Sequence, residues 1–219
     1  MLKLENPRSV FKKLAPKKVI EPLTPITLAK DVMSVAGKTP GNQGLLVSLP
    51  AIESSYSYHS TKGPNKFDDP DIAPTLVLME LLDSMEGIFW KFIRGKGLAY
   101  STKVYNNTEL GSIYFTIYNS PDAFKAFEQA KLVIEQLCDG RMDIDPSAVD
   151  GAKSAVIYSL VYEEGIMERA ARLSFEYQVL MGMPASYNHD MMAAVQVNKT
   201  ICHKKSKCLY RYFIECYYG

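Results

Sequence analysis

The sequence predicts an α+β fold, an antiparallel sheet with its helices packed on one face. Three observations support this prediction. Two short β-rich runs precede a long stretch with helical periodicity, two further β-rich runs separated by turn residues follow it, and helical stretches fill the rest of the chain to residue 196. This order of elements indicates an antiparallel sheet covered by helices.

Composition and length are those of an ordinary globular protein. The 219 residues are 47% hydrophobic and 22% charged, with a net charge of +1, so we expect a packed core and no nucleic-acid partner. No apolar run approaches the roughly 18 residues of a membrane span, and the N-terminus lacks a secretory signal. We therefore expect an intracellular protein without a membrane partner, in the cytoplasm or, alternatively, the mitochondrion.

The chain divides into three parts. Residues 1–40 are a connector or edge segment, with a short strand predicted over 17–22 and one or two helical turns over 27–35. Residues 41–196 form the main domain. Residues 197–219 are basic and rich in Cys and Tyr, and no helical periodicity continues into them. We interpret this tail as a non-native reading of the gene, either read-through or an altered frame.

Two strands are predicted at the start of the main domain. The apolar run Leu45–Pro50 is predicted to be a buried strand. Residues Ser54–Ser60 alternate serine with tyrosine, which predicts an extended segment that carries Tyr56 and Tyr58 on one face. A polar loop then leads to the first helix.

A long helix is predicted over Asp71–Arg94. Apolar residues recur at the three- and four-residue spacing of one helix face, and Pro74 falls in the first turn, where proline is tolerated. Gly95 and Gly97 are expected to end the helix, because glycine suits a helix C-terminus.

A β-hairpin is predicted after this helix. The runs Leu98–Tyr105 and Leu110–Tyr118 are rich in β-forming residues, and the turn-forming segment Asn106–Glu109 separates them. The hairpin supplies the adjacent antiparallel strands that the fold class requires.

Helices are predicted for the rest of the domain. Ser120-Pro121 indicates the start of a helix that runs through Leu137. Asp145-Pro146 indicates the start of a longer helix that continues to about Met181. A shorter helix follows over about residues 188–196.

Few residues suit metal binding or nucleophilic catalysis. None of the three histidines, His59, His189 and His203, has a glutamate or histidine at the offset that a zinc-binding helix needs. The cysteines of the tail are not spaced as in structural zinc sites, and the sequence has no Gly-x-Ser-x-Gly motif. We therefore expect no metal or cofactor site in this chain.

One group of residues stands out at the end of the predicted long helix. Arg94 ends the helix, two glycines turn the chain, and Tyr100 enters the next strand. This spacing predicts that both side chains lie at one helix-to-strand corner. The same residue types also suit an ordinary structural role, because cations favour helix C-termini and tyrosines favour strands.

This corner, within this order of elements, resembles the C-terminal half of the pitrilysin/insulysin family of inverted-motif zinc proteases (inverzincins), and within it the presequence-protease-like branch. The resemblance covers roughly residues 40–196. The stretches that carry it are Gly44–Pro50 with Ser54–Tyr56, Asp71–Leu82, Phe89–Tyr100, Tyr114–Pro121 and Glu163–Phe175. The Arg-Gly-x-Gly-x-Ala-Tyr corner is the most specific of them.

The resemblance implies a half-domain like that of the mitochondrial processing peptidase and a division of roles between two halves. Family members are clamshells that enclose short unstructured peptides. Zinc lies in the N-terminal half, on a His-x-x-Glu-His helix, and the C-terminal half contributes an arginine and a tyrosine that reach the scissile peptide. The resemblance therefore implies that Arg94 and Tyr100 contact the substrate carbonyl and stabilise the transition state.

No His-x-x-Glu-His occurs in this chain, so the zinc is expected in a missing N-terminal half, and the chain alone is expected to hydrolyse nothing. We expect the substrate-clamping C-terminal portion of a zinc metalloendopeptidase, whose partners are a peptide substrate and the zinc-bearing half. An alternative is a non-catalytic scaffold or partner subunit that docks on a zinc-bearing half. A third interpretation is a binding module that uses the basic tail.

Overall fold

The computed structural model describes residues 44–197 of the chain. Its elements are the strands β1 (Ser55–Lys62), β2 (Ser101–Asn107) and β3 (Ser112–Ser120), the helices α1 (Ile72–Asp83), α2 (Ala123–Cys138), α3 (Pro146–Glu163), α4 (Met167–Phe175) and α5 (Tyr187–Val197), and two π-helical turns at Trp90–Arg94 and Glu176–Leu180. The predicted strand over 17–22, the predicted helical turns over 27–35 and the tail beyond Val197 lie outside the described residues.

The three strands form one antiparallel sheet in the order β1–β3–β2. In the central strand, Phe115 stands opposite His59 of β1 and Val104 of β2. Because side chains alternate along a strand, Ile113, Phe115 and Ile117 of β3 point into the core and are buried. The predicted α+β class is therefore confirmed.

The core lies between the inner face of the sheet and the helices. α2 packs on β3, while α1 contacts β2 and α3, and α5 packs on α3. The largest fully buried side chains come from α1, the segment before β2, the sheet, α2 and α5: Val77, Leu78, Leu82, Phe89, Ile93, Ile113, Ile117, Val133, Ile134, Leu137 and Val195. No helix within residues 44–197 is both long and apolar enough to cross a membrane.

The predicted hairpin is confirmed, with its turn displaced toward the second strand. Strand pairing continues through Asn107, opposite Ser112. The turn closes where the Gly111 N–H donates to the Thr108 carbonyl at 3.2 Å, and Gly111 adopts a φ of 64° that favours glycine. The side-chain oxygen of Asn107 accepts from the Leu110 N–H at 3.0 Å, which fixes the turn locally.

The predicted continuous helix over residues 71–94 is wrong. α1 ends at Asp83, and residues 84–87 form a turn before the chain coils again. Glu86 adopts a φ of 60°, and a Cβ on Gly87 would lie 2.7 Å from the Ser84 carbonyl oxygen, so this turn requires glycine there. Met85, which continued the apolar spacing, is 88% exposed.

The start of α2 also differs from the prediction. Asp122, rather than Ser120, caps the helix: its carboxylate accepts from the backbone N–H groups of Phe124 and Lys125, each at 3.1 Å. The Lys125 N–H is the main cause of a lowered pKa of Asp122. Ser120 is instead fully buried, where its hydroxyl donates to the Leu98 carbonyl.

The predicted single helix from residue 146 to about 181 is wrong as well. α3 ends at Glu163, and Ile166 is extended, with φ −127° and ψ 145°, before α4 begins. Gly165 lies in this turn, and its N–H donates to the Tyr162 carbonyl at 3.1 Å. Glycine is a weak helix former, and Gly165 lies at the break between α3 and α4. The short final helix is confirmed as α5.

The segment Leu45–Pro50 is not a strand in the structure, which corrects the first predicted strand. Leu45 and Leu46 are 90% and 95% exposed, and no described strand pairs with this run. An apolar run becomes a buried strand only if a sheet edge and a core surface receive it. The second predicted strand is confirmed as β1, with Tyr56 and Tyr58 on its exposed face.

Candidate functional site

The candidate site begins with the π-helical turn Trp90–Arg94, which positions Arg94. The Gly95 N–H donates to the Trp90 carbonyl at 2.8 Å, which closes this wide turn. Ile93 is buried in the core and anchors the turn. Because Arg94 is the next residue, its side chain leaves the core and is exposed.

Two glycines then reverse the chain within a few residues. A Cβ on Gly95 would lie 2.7 Å from the Lys91 carbonyl oxygen. Gly97 adopts a φ of 69°, and its N–H donates to the Arg94 carbonyl at 2.9 Å. Both positions therefore require glycine, the first for space and the second for conformation.

Tyr100 is held in place by β3. The Tyr100 N–H donates to the Asn119 carbonyl at 2.9 Å, and the neighbouring Ala99 is buried. The hydroxyl of Ser120 donates to the Leu98 carbonyl two residues earlier. The backbone before β2 is thus fastened to the end of β3, and the ring of Tyr100 stays 59% exposed.

The structure brings Arg94 and Tyr100 together at this corner. The Arg94 Cζ lies 4.8 Å from the centroid of the Tyr100 ring, within the range of a cation–π contact. The nearby Lys96 turns elsewhere, since its Nζ donates to Gln129 Oε1 at 3.2 Å. A guanidinium and a phenol hydroxyl can both donate hydrogen bonds to a carbonyl or carboxylate oxygen of a ligand.

The described residues do not fit a zinc ion. Within residues 44–197, no group of three or more His, Cys, Asp or Glu side chains could hold a metal ion. His59 is stacked on Phe127 at 4.1 Å between ring centroids, and burial lowers its pKa to about 4. His189 is exposed, and its Nδ1 lies 3.9 Å from Asp190. Neither histidine is part of a ligand set.

A surface that the sequence analysis missed lies next to the corner, on the outer face of the sheet. We call it the tyrosine face; it consists of Tyr56, Tyr58, Tyr105, Tyr114 and Tyr118. Ring centroids lie 5.1 Å apart for Tyr56–Tyr118 and Tyr58–Tyr114, and 5.2 Å apart for Tyr105–Tyr114. The serine–tyrosine alternation of β1 placed Tyr56 and Tyr58 on one face, but only the strand register shows that the tyrosines of the three strands share that face.

The hydroxyl groups on this face are also joined. The Tyr58 and Tyr105 hydroxyl oxygens are 2.9 Å apart. Burial, followed by this hydrogen bond, raises the pKa of Tyr58. The rings therefore contact one another in two groups on the same face of the sheet, Tyr56 with Tyr118, and Tyr58 with Tyr105 and Tyr114.

Asp83 is a second group that the sequence analysis did not identify. It ends α1 beside β2, where its carboxylate accepts a hydrogen bond from the Val104 N–H. Burial raises its pKa to about 6, while Lys103 acts in the opposite direction. The carboxylate thus satisfies the backbone N–H of Val104 in β2.

Comparisons with known proteins agree with this fold. Residues 6–156 match the family described as the peptidase M16 inactive domain. An uncharacterized yeast protein, YOL098C of Saccharomyces cerevisiae, is 34% identical over 151 residues, which are 68% of this chain and 15% of the relative. The uncharacterized protein C3H1.02c of Schizosaccharomyces pombe is 28% identical over 69% of this chain and 15% of its own length.

Solved structures show the same fold at lower sequence identity. An inactive peptidase domain from Bordetella parapertussis has a TM-score of 0.62 and 13% identity, over 76% of this chain and 89% of that domain. A protease from Helicobacter pylori has a TM-score of 0.59 and 18% identity, over 77% of this chain and 40% of that protein. This chain thus spans a small part of its curated relatives, and by sequence match and fold it belongs to the peptidase M16 inactive-domain family.

Proposed function

We propose that this chain is the substrate-contacting C-terminal portion of a zinc metallopeptidase that cleaves short unstructured peptides. Its membership in the M16 inactive-domain family supports the assignment to such an enzyme. The relatives are several times longer than this chain, which supports a partner half that carries the remaining chemistry. The chain alone then has no hydrolytic activity.

The observation that carries this proposal is the pairing of Arg94 and Tyr100. The Arg94 Cζ lies 4.8 Å from the centroid of the Tyr100 ring at one exposed corner. Both side chains carry a hydrogen-bond donor that a ligand can reach. In the proposed complex, both donate hydrogen bonds to the oxygen of the scissile carbonyl. Donors placed at a developing oxyanion typically stabilise the transition state by about 3 kcal/mol each.

The metal belongs to the other half in this proposal. Zinc bound there would polarise the carbonyl and activate water, and no described group of residues in this chain fits that ion. The contribution of this chain is to hold the peptide and to orient its carbonyl. The buried Ile93 and the two glycines keep the Arg94 backbone in one place, which favours a fixed geometry.

The test is a reconstituted enzyme, in which this chain is combined with its zinc-bearing half. We expect Arg94→Ala and Tyr100→Phe each to lower kcat/KM for a quenched fluorescent peptide by about tenfold or more. Arg141→Ala is the matched control for the arginine, because Arg141 is exposed and pairs with Asp139 at 2.8 Å, away from the corner. Tyr187→Phe, on α5, is the control for the phenol.

The outcomes separate catalysis from mere assembly. If both corner variants keep the wild-type kcat/KM, Arg94 and Tyr100 do not contact the reacting carbonyl and the assignment is wrong. If they lose activity to the same extent as their controls, the loss is structural and the assignment is also wrong.

A second candidate function is that of a non-catalytic scaffold that docks on a zinc-bearing half. The observation that favours it is the apolar surface of α3 and α4 and the turn between them, where these side chains are exposed: Tyr158, Val161, Tyr162, Ile166, Met167 and Phe175. In that case Val161→Ser and Met167→Ser weaken co-purification with the other half, and Arg94→Ala leaves kcat/KM unchanged.

A further inference from the structure

We propose that the tyrosine face is the docking surface for the part of an unfolded peptide substrate that is rich in apolar and acidic side chains. This inference rests on the proposed function, because the same peptide would reach Arg94 and Tyr100 at the adjoining corner. It adds the chemical class of the substrate, which the corner alone does not specify.

The first argument is the composition of the surface. Tyr56, Tyr58 and Tyr118 are at least half exposed, around a buried Tyr114. An outward face of an antiparallel sheet is usually polar, whereas this one presents connected aromatic rings. Tyrosine offers a large contact area and a polar tip at a low cost in side-chain entropy, which is why binding surfaces are rich in it.

The second argument is charge. None of the three strands contains an Asp or Glu residue. Lys62 of β1 and Lys103 of β2 are exposed and lie on the same face of the sheet as the outward tyrosines. Arg94 contributes a further positive charge at the corner. Asp83, an acid at the edge of β2, interacts with Lys103. The surface is therefore positive, and carboxylates on the ligand would complement it.

The third argument concerns the ring faces. The Lys103 Nζ lies 5.8 Å from the Tyr105 centroid, and the Arg94 Cζ lies 4.8 Å from the Tyr100 centroid. Cations of this chain therefore already lie over these two rings, where a Lys- or Arg-rich peptide would otherwise bind. A basic ligand would also be repelled by the same side chains, so the surface favours acidic over basic peptides.

The fourth argument is continuity with the corner. Tyr118 pairs with Ser101, the residue after Tyr100, and the Asn119 carbonyl accepts from the Tyr100 N–H. The backbone of Tyr100 therefore lies one residue from the strand pair that holds Tyr118. An extended peptide of about ten residues, at about 3.3 Å each, is long enough to cross three strands spaced about 4.8 Å apart and continue to Arg94.

The test measures peptide binding to the full 219-residue chain by fluorescence anisotropy. The probe is a fluorescein-labelled ten-residue peptide of Leu, Phe, Ser, Asp and Glu, and its twin has Lys in place of every Asp and Glu. We expect the acidic probe to bind at least about fivefold more tightly than its basic twin. The double variant Tyr56→Thr/Tyr118→Thr should weaken acidic-probe binding at least about fivefold.

Threonine is chosen because it keeps a high strand propensity, and circular dichroism checks the fold. Leu132→Thr is the control, since Leu132 is an apolar side chain that is 41% exposed on α2 rather than on the sheet, and it should bind the probe like the wild type. Lys103→Glu is a second, independent variant, and it should abolish the preference for the acidic probe.

Several results would overturn the inference. In one such result, the double variant binds the acidic probe as tightly as the wild type, whereas Arg94→Ala weakens binding. The proposed function would then hold, but the tyrosine face would not be the docking surface. Tighter binding of labelled oligouridine than of the acidic peptide would assign the surface to single-stranded RNA instead. Self-association that the double variant abolishes would assign it to a second copy of the chain. Failure of the proposed function is a separate result, namely unchanged kcat/KM for Arg94→Ala in the reconstituted enzyme.

Discussion

α2 and the α3–α4 pair are all predicted helical from sequence, yet they bury very different numbers of side chains in the structure. α2 buries Ala126, Phe127, Ala130, Val133, Ile134, Leu137 and Cys138 against the sheet. α3 buries only Ala152 and Val156, and α4 buries no residue. The comparison shows that a helical pattern specifies the helix but not the surface that covers it.

Local contacts contribute to the stability of α4 and of the end of α3 that adjoins it. Tyr162 stacks on Tyr158 with centroids 6.0 Å apart, and the Arg169 Cζ lies 5.2 Å from the Tyr162 centroid. Arg172 pairs with Glu176 at 3.6 Å. Exposed pairs of this kind are typically worth about 0.5 kcal/mol each, so α4 depends far less on tertiary burial than α2 does.

The largest expected effect separates two leucines of α2. Leu137 is 1% exposed and Leu132 is 41% exposed on the same helix. We expect Leu137→Ala to lower the free energy of unfolding by about 3 kcal/mol, because it leaves a cavity in the core. Leu132→Ala should lower it by less than about 1 kcal/mol. Urea denaturation measures both, and equal losses would mean that the core is not centred on this face of α2.

A smaller difference is expected between the helices themselves. The backbone amides of α4 should open with a free energy about 2 kcal/mol lower than those of α2, because α4 lacks buried contacts within the described residues. Native-state hydrogen exchange with mass spectrometry measures this difference. Equal protection in the two helices would show that α4 is covered, which contradicts the comparison.

The smallest effect is the pH dependence of stability that Asp83, at the end of α1, causes. Burial raises the pKa of Asp83 to about 6, so the folded state binds more protons than the unfolded state between pH 4 and 6. Its contribution to stability is therefore present below the unfolded pKa and is lost as the pH rises through the folded pKa. Asp83→Asn should remove a loss of about 1 kcal/mol between pH 4 and 7, after allowance for solvent screening.

Two other groups serve as internal references for this pH series. His59 has the opposite sign, because burial lowers its pKa to about 4 and its stabilisation is lost as the pH falls through that value. Burial raises the pKa of Tyr187 to about 12, so this phenol should affect stability only in alkaline solution. Thermal unfolding at a series of pH values checks all three, and an unchanged slope in Asp83→Asn would contradict the assignment.

Local rules predicted much of the fold. The hairpin followed from β-forming residues around a turn, β1 from its serine–tyrosine alternation, and the corner from two glycines between Arg94 and Tyr100. Each of these signals depends on residues close together in the chain. The roles of Arg94 and Tyr100 stay a prediction that the reconstituted enzyme tests.

The failures share a physical cause. The helix predicted through Met85 and the strand predicted at Leu45 both treated apolar spacing as evidence of burial, whereas Met85 and Leu45 are 88% and 90% exposed. Spacing identifies a candidate face, but a distant partner decides whether that face is covered. Glycine disfavours helix interiors, and Gly87 and Gly165 lie at the two breaks, but Gly151 lies inside α3, so a glycine by itself does not locate a break.

The tyrosine face shows the same division. The sequence by itself determined that Tyr56 and Tyr58 alternate with serine, that the strands carry no acid, and that the chain turns between Arg94 and Tyr100. Only the tertiary structure decided that Tyr58, a distant residue in the chain, lies against Tyr105 and Tyr114, because strand register is set by the packing of one whole face against the helices. Backbone propensity acts over a few residues, whereas the surface that meets a ligand is assembled by burial across the entire domain.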